Sequence, residues 1–102
     1  MKAVAAKKPV VRRSSGNVFE DIGFPKPEAE RLRIMAELAI QIERYIEIHK
    51  LTQSQAALRF GITQPRMNTL LRGKFHLFSI DSLIEMLARV GITVTLKIGK
   101  AA

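Results

Sequence analysis

The segment LTQSQAALRFGITQPRMNTLLRGK, which runs from Leu51 to Lys74, decides the fold of this chain. Thr52 precedes Gln55 by three residues, a spacing typical of a capping box at the start of a helix. We expect the short helix that follows to end at Gly61, because a residue with positive φ is favoured there. The first half of the segment therefore predicts one short, well-capped helix.

The second half of the segment predicts another short helix. Thr63 is positioned to cap it, Pro65 is tolerated in its first turn, and Gly73 is positioned to end it. Only residues 61–63 separate the two helices, so a tight turn joins them, and Ala57 provides a small side chain where they cross. This is the spacing of a helix-turn-helix.

The two short helices each have one apolar side, which is expected to face the core at about 100° of rotation per residue. The members of this side are Ala56, Ala57, Phe60, Met67, Leu70 and Leu71. The opposite side of the second helix has no large apolar residue. It consists of Pro65, Asn68, Thr69 and Arg72, with Gln64 and Arg66 on its flanks. A helix in the DNA major groove needs this division, because one face is anchored while the other presents polar groups to base edges.

These polar side chains are suited to different contacts with DNA. Arg66 can make paired hydrogen bonds with guanine, and Gln64 or Asn68 with adenine, each worth roughly 1–3 kcal/mol of discrimination. Contacts to phosphate fix the position of a protein on the duplex but carry little sequence information. The residues expected to make phosphate contacts are Gln53, Arg59, Arg72 and Lys74.

The formal net charge of +8 is unevenly distributed along the chain. Residues 27–49 contain three arginines and five glutamates, a balance of −2, whereas residues 48–80 contain five Lys and Arg and no Asp or Glu. A basic surface confined to one segment is typical of a phosphate-binding face. Chance clustering on a solvated face is the alternative explanation for the charge pattern alone.

Helical patterns flank the motif on both sides. Pro27 is expected at the first position of an amphipathic helix of about six turns, and Ser79 is expected to cap a later helix that ends at Gly91. Residues 17–25, NVFEDIGFP, form a short apolar patch in which we expect a turn. Leu58 projects away from the inward side of its helix, and contact with a neighbouring helix is favoured over a role in binding a partner.

The pattern after Gly91 changes from helical to alternating. The alternating apolar residues are Ile92, Val94, Leu96 and Ile98. This period is typical of a half-buried strand, and the chain has no second clear strand to pair with it. A lone strand leaves its backbone groups unsatisfied, so we expect it to pair with the same strand of a second copy and form a homodimer.

The length of 102 residues fits one domain, which we assign to residues 17–98, with a basic arm at 1–16 and a short tail at 99–102. The arm has three open interpretations: a disordered tail, which is favoured, nonspecific phosphate contact, or insertion into the minor groove.

Several classes of protein are not expected from the composition. The chain has no cysteine, which excludes disulfides and thiolate metal sites and fits a reducing cytoplasm. It has no apolar run of about 18 residues and no secretory signal, so we expect a soluble cytoplasmic protein without a membrane partner. Its two histidines, His49 and His76, lack a ligand cluster, and no catalytic motif is present. We therefore expect no metal, no cofactor and no enzymatic activity.

Three pieces of the chain, NVFEDIGF, the motif at 51–74 and FSIDSLIEMLARVG, resemble the Xre/Cro-like helix-turn-helix regulators, and within them the HigA-type antitoxins. The resemblance covers about residues 17–98. The resemblance implies a lambda-repressor-like domain, which is consistent with the mainly α fold of four helices with a C-terminal β-strand that the patterns predict. The family's base-reading positions match Gln64, Arg66, Asn68 and Thr69, and Gln53 would hold a phosphate. Pro65 stands where many relatives carry a polar residue.

Two functions follow as expectations. The first is a sequence-specific repressor that binds a palindromic operator as a homodimer and represses its own gene. The alternative, implied by the antitoxin resemblance, is a protein that chiefly inhibits a RelE-like toxin ribonuclease, with DNA binding secondary. A third possibility, RNA binding or a purely architectural role, is disfavoured. Sequence-specific RNA readers usually stack bases on exposed aromatics, and the chain has no Trp and a single Tyr.

Overall fold

A computed structural model describes residues 17–100 of the chain, and every regular element in this range is helical. The helices are α1 (Val18–Asp21), α2 (Lys26–Ile48), α3 (Gln53–Phe60), α4 (Gln64–Leu71) and α5 (Ile80–Arg89), with a 3-10 turn at Phe75–Leu77 between the last two. The described residues divide into two compact units, 17–34 and 35–100, and the boundary falls within α2. The basic arm at 1–16 lies outside the described residues.

The described part of the first unit contains α1 and the start of α2. The Asn17 side chain caps α1 by accepting hydrogen bonds from the backbone N–H groups of Phe19 and Glu20, at 3.0 and 3.3 Å. The ring of Phe19 packs edge-to-face against that of Phe24, with 6.3 Å between centroids. The turn expected at residues 17–25 therefore includes one turn of helix.

The second unit is built around the packed pair α3 and α4. α3 also contacts α5, and α4 contacts the 3-10 turn. The Phe60 ring is fully buried and meets Tyr45 of α2 edge-to-face, with 5.4 Å between ring centroids. The other fully buried large side chains of this unit are Met35, Ile42, Met67, Leu70, Leu83 and Leu87. The apolar sides predicted for the helices thus form the core, except that Leu71 is only half-buried.

The predicted helix boundaries in the motif are confirmed. Thr52 and Gln55 form the capping box at the start of α3, and the Thr63 hydroxyl accepts a hydrogen bond from the Arg66 backbone N–H at the start of α4. Ser79 caps α5 in a reciprocal arrangement with Ser82. Each of these caps satisfies backbone N–H groups that have no partner within the helix.

The predicted C-terminal β-strand is absent from the structure. Within residues 17–100 no strand is present, and residues 92–100 have no regular secondary structure. A strand requires hydrogen bonds to a neighbouring strand, and this single chain offers none in the described range. The alternating pattern is realised only at its start, where Ile92 and Val94 are half-buried, whereas Leu96 and Ile98 are 73% and 91% exposed.

The prediction that Leu58 contacts a neighbouring helix is also wrong, because its side chain is 83% exposed. No group of three or more potential metal ligands occurs within residues 17–100. In the same range, no helix combines the length and the hydrophobicity that crossing a membrane would require.

Candidate nucleic-acid interface

α4 presents a polar surface because its opposite side is buried in the core. Met67 and Leu70 are fully buried, whereas Gln64, Pro65 and Arg66 are exposed at the first turn. The predicted base-reading residues Gln64, Arg66, Asn68 and Thr69 all lie on α4, with Asn68 and Thr69 half-buried. A recognition helix places its N-terminal residues against base edges, which is where Gln64 and Arg66, the two exposed members of this set, lie.

The Thr69 hydroxyl already uses its single hydrogen-bond donor within α4. Its hydroxyl donates to the Pro65 backbone carbonyl, with 3.0 Å between the oxygens. A hydroxyl has one donor and two acceptor lone pairs, so the lone pairs remain for an external donor. In this geometry Thr69 is suited to accept from a base amino group and not to donate to a base carbonyl.

Arg66 has a neighbour that the sequence did not reveal. Its guanidinium carbon lies 4.2 Å from the centroid of the Phe78 ring, over the ring face. Phe78 is only 5% exposed, so an aromatic ring at the edge of the core supports an exposed arginine. The residues are twelve positions apart and belong to no common helix, so no periodicity could have indicated the pair.

The four residues predicted to contact phosphate differ in their surroundings. Gln53 begins α3 and is half-buried, Arg72 is exposed at the end of α4, and Lys74 is exposed just before the 3-10 turn. The guanidinium of Arg59 donates to the Tyr45 hydroxyl at 3.1 Å. Arg59 is thus tethered to α2 by one of its five N–H groups and keeps the others for a phosphate.

Positive charge in this region is uncompensated. None of the five Lys and Arg side chains in residues 48–80 forms an ion pair with any residue between 17 and 100. Because that segment contains no carboxylate, its charges are available to an external anion. A duplex supplies such anions at regular spacing along both strands.

The turn between α3 and α4 depends on Gly61. Its φ of +74° lies in the left-handed region, and its N–H bonds to the Leu58 carbonyl at 3.3 Å. The Arg89 side chain of α5 lies over this turn, so that a Cβ at Gly61 would be 2.6 Å from Arg89 Nε. The angle between the two short helices is therefore set by a backbone that strongly favours glycine.

A family model described as a helix-turn-helix domain matches residues 18–99. This chain belongs to the helix-turn-helix domain family. No curated protein matches the chain. The match agrees with the geometry, since α3, the turn at 61–63 and α4 form the two helices and the tight connection of the motif.

Membership of the helix-turn-helix family implies DNA as the partner and indicates a DNA-binding regulator. The Xre/Cro-like family and its HigA-type branch are finer assignments that stay predictions. The base and phosphate contacts expected of individual side chains also stay predictions, with their positions now known.

Proposed function

We propose that this helix-turn-helix protein is a sequence-specific transcriptional repressor, with no catalytic activity of its own, that acts on its own gene. In this proposal α4 lies in the major groove and its first turn contacts base edges. Arg72 and Lys74 contact the flanking phosphates, together with the remaining donors of Arg59. Gln53 at the start of α3 contributes a further phosphate contact.

The observation that carries the proposal is the difference between the two sides of α4. One side is buried in the core, and the other is polar and exposed, with positive charge that no ion pair compensates within residues 17–100. Met67 and Leu70 have no exposed surface, so the helix cannot rotate without opening the core. Gln64 and Arg66 are therefore held at a defined position relative to the flanking cations. A fixed array of donors and acceptors is what direct readout of base pairs requires.

Fluorescence anisotropy tests this proposal with the gene's own upstream region and a shuffled duplex of equal length. We expect binding to the upstream region at least about 10³-fold tighter than to the shuffled duplex. Alanine at Arg66 should remove much of this preference, whereas alanine at Arg31, an exposed arginine outside the motif, should leave it unchanged. Equal affinity for both duplexes at moderate salt would contradict sequence-specific repression.

We further propose that the repressor acts as a homodimer through its C-terminal segment, residues 92–98. Leu96 and Ile98 are 73% and 91% exposed. Packing against the same segment of a second copy would remove this apolar surface from water. Two-fold symmetry would place the two α4 helices about 34 Å apart, one turn of DNA, on a palindromic operator.

Sedimentation tests the dimer. Leu96→Asp should yield monomers, whereas Thr95→Asp, which places the same charge on an already polar and exposed neighbour, should leave dimers. A dimer that survives Leu96→Asp unchanged would mean that the interface lies elsewhere.

A second candidate function is inhibition of a RelE-like toxin ribonuclease, which the likeness to HigA-type antitoxins suggests. The observation that favours it is the exposed apolar patch at the start of the described chain, where Val18 and Ile22 are 62% and 66% exposed and Phe24 is 39% exposed. Contiguous exposed apolar surface often marks a protein-binding site.

Co-expression with the neighbouring reading frame tests this second candidate. If that frame encodes a toxin, the two proteins should co-purify, and Ile22→Asp should weaken their association. Failure to co-purify would count against toxin inhibition while leaving DNA binding unaffected.

A further inference from the structure

We infer that Phe78 is a positioning residue for sequence discrimination, because its ring orients the Arg66 guanidinium before DNA is bound. This inference rests on the proposed function, in which Arg66 contacts a guanine. It assigns part of the specificity to a buried aromatic residue outside α4. The observation behind it is the 4.2 Å separation between the Arg66 guanidinium carbon and the Phe78 ring centroid.

An arginine held over an aromatic ring by a cation–π contact keeps its hydrogen-bond donors. The contact is an electrostatic attraction to the ring, and it supplies no acceptor atom to any of the five guanidinium N–H groups. No residue between 17 and 100 accepts a hydrogen bond from the Arg66 guanidinium. Arg33 shows the contrasting arrangement, because its Nε and Nη2 both donate to the Glu30 carboxylate. The Phe78 ring thus restrains Arg66 without using the donors that guanine needs.

The Phe78 ring is a rigid support. Its side chain is 5% exposed, and its backbone N–H bonds to the Phe75 carbonyl at 2.9 Å, which closes the 3-10 turn. The next residue, Ser79, caps α5. Because the backbone is held on both sides, the ring does not depend on DNA for its position. An arginine restrained on it loses less conformational freedom on binding than one that moves in solvent.

One carboxylate lies near enough to offer a different explanation. Glu85 of α5 lines the same shallow depression as Arg66, together with Arg89 and Ser82. Glu85 and Arg66 form no ion pair, so the guanidinium contacts the ring and not the carboxylate. Glu85→Gln therefore belongs in the test as a control.

The test uses a duplex selected by the wild-type full-length chain from a random library, and single-base variants of that duplex. Preference at each position is the ratio of dissociation constants for the two bases. Arg66→Ala should remove the preference for guanine at one position. Phe78→Leu, which keeps an apolar side chain in the core, should lower that same preference about two- to fivefold, the strength of an exposed cation–π contact. The salt dependence of binding should not change.

The controls separate positioning from general damage to the fold. Phe75→Leu removes a ring from the same loop, and Glu85→Gln removes the nearby carboxylate, and both should leave the guanine preference unchanged. In the Arg66→Ala background, Phe78→Leu should have no further effect on base preference. A Phe78→Leu effect that is equal at all positions, or that persists without Arg66, would overturn the inference.

Two further outcomes are decisive. In the free wild-type protein, NMR should show the Arg66 side-chain resonances shifted upfield by the ring, and unshifted resonances would overturn the inference even if the variants failed to fold. A wild-type chain that selects no preferred duplex would contradict the proposed function itself and remove the basis of this inference with it. If the wild-type chain selects a preferred duplex but Phe78→Leu has the same base preferences as the wild type, only the role of Phe78 is contradicted.

Discussion

Arginine side chains at the start of α2 and in residues 48–80 have opposite electrostatic surroundings. Arg31 and Arg33 each follow a glutamate by three residues and form ion pairs with Glu28 and Glu30, at 3.4 and 2.6 Å. The basic side chains of residues 48–80 have no ion-pair partner among residues 17–100. The first region satisfies its charges locally, and the second leaves them for an external anion.

This difference shows that the number of basic residues is a poor guide to a DNA-binding surface. Arg33 is as positively charged as Arg66, but its hydrogen-bond donors already face a carboxylate. What distinguishes the motif is the absence of acids over residues 48–80 together with a rigid helix that presents the charge. Removing the rigid support, the turn, a cation or an ion pair should therefore have effects of different kinds and sizes.

The largest effect is expected from Phe60→Ala, which removes the support of the motif. Phe60, the last residue of α3, is fully buried and packs against Tyr45, so the cavity should cost about 3–5 kcal/mol in the free energy of unfolding. Urea denaturation followed by circular dichroism measures this. Leu58→Ala is the matched control, since that side chain is 83% exposed on the same helix and should cost under about 0.5 kcal/mol. Similar losses for both variants would contradict the assigned core.

A smaller effect is expected at the turn. Gly61→Ala places an L side chain at φ +74° and should cost about 1–2 kcal/mol in unfolding free energy. Gly73→Ala is the matched control, because its φ is +86° and nothing lies within 4 Å of its added Cβ. The difference between the two variants measures the contact with Arg89. It should be under about 0.5 kcal/mol, since that side chain is flexible, and should vanish in an Arg89→Ala background.

Removing one cation should change the salt dependence of DNA binding with little effect on stability. Arg72→Ala deletes one phosphate contact per subunit and should lower the magnitude of the slope of log K against log salt by about 0.9 for each subunit, or about 1.8 for the proposed homodimer. Arg31→Ala removes the same charge from the ion-paired region and should leave the slope unchanged. Anisotropy titrations at four or more salt concentrations provide the measurement. Equal changes in slope for the two variants would mean that the two regions do not differ in their access to DNA.

The smallest effect is expected from the ion pair itself. The hydrogen bond from Arg33, aided by its charge, holds the pKa of Glu30 below its ordinary value. Because the folded-state pKa is lowered, the stabilisation is present above the unfolded carboxyl pKa of about 4.3 and is lost as pH falls through the folded value. Glu30→Gln should therefore cost under about 0.5 kcal/mol at pH 7, since the pair is exposed, and nothing at pH 2. A cost that is independent of pH would contradict this assignment.

Most of the motif could be predicted because its determinants are local. Each determinant involves residues within one or two helical turns of each other. These determinants are a threonine three residues before a polar N3 residue, a glycine at a left-handed position and apolar residues at helical spacing. Thr52, Gly61 and Met67 therefore have the roles that their sequence pattern predicts. The polar side of α4 follows from the same periodicity.

The predictions that failed depended on contacts between distant segments. The alternation at residues 92–98 predicts a strand, but a strand exists only where a second one provides hydrogen bonds. Leu58 is an apolar residue whose burial depends on whether a neighbouring helix reaches it, and none does.

The amino-acid sequence by itself determined the two capped helices, the glycine turn, the polar side of α4 and the acid-free basic segment. Each of these features depends on residues that are close together along the chain. Only the tertiary structure decided that Arg66 rests on Phe78, that Arg59 is tethered to Tyr45 and that Arg89 covers Gly61. The residues in these three pairs are 12, 14 and 28 positions apart along the chain, respectively. Such pairs are set by how the helices pack, which no local pattern encodes.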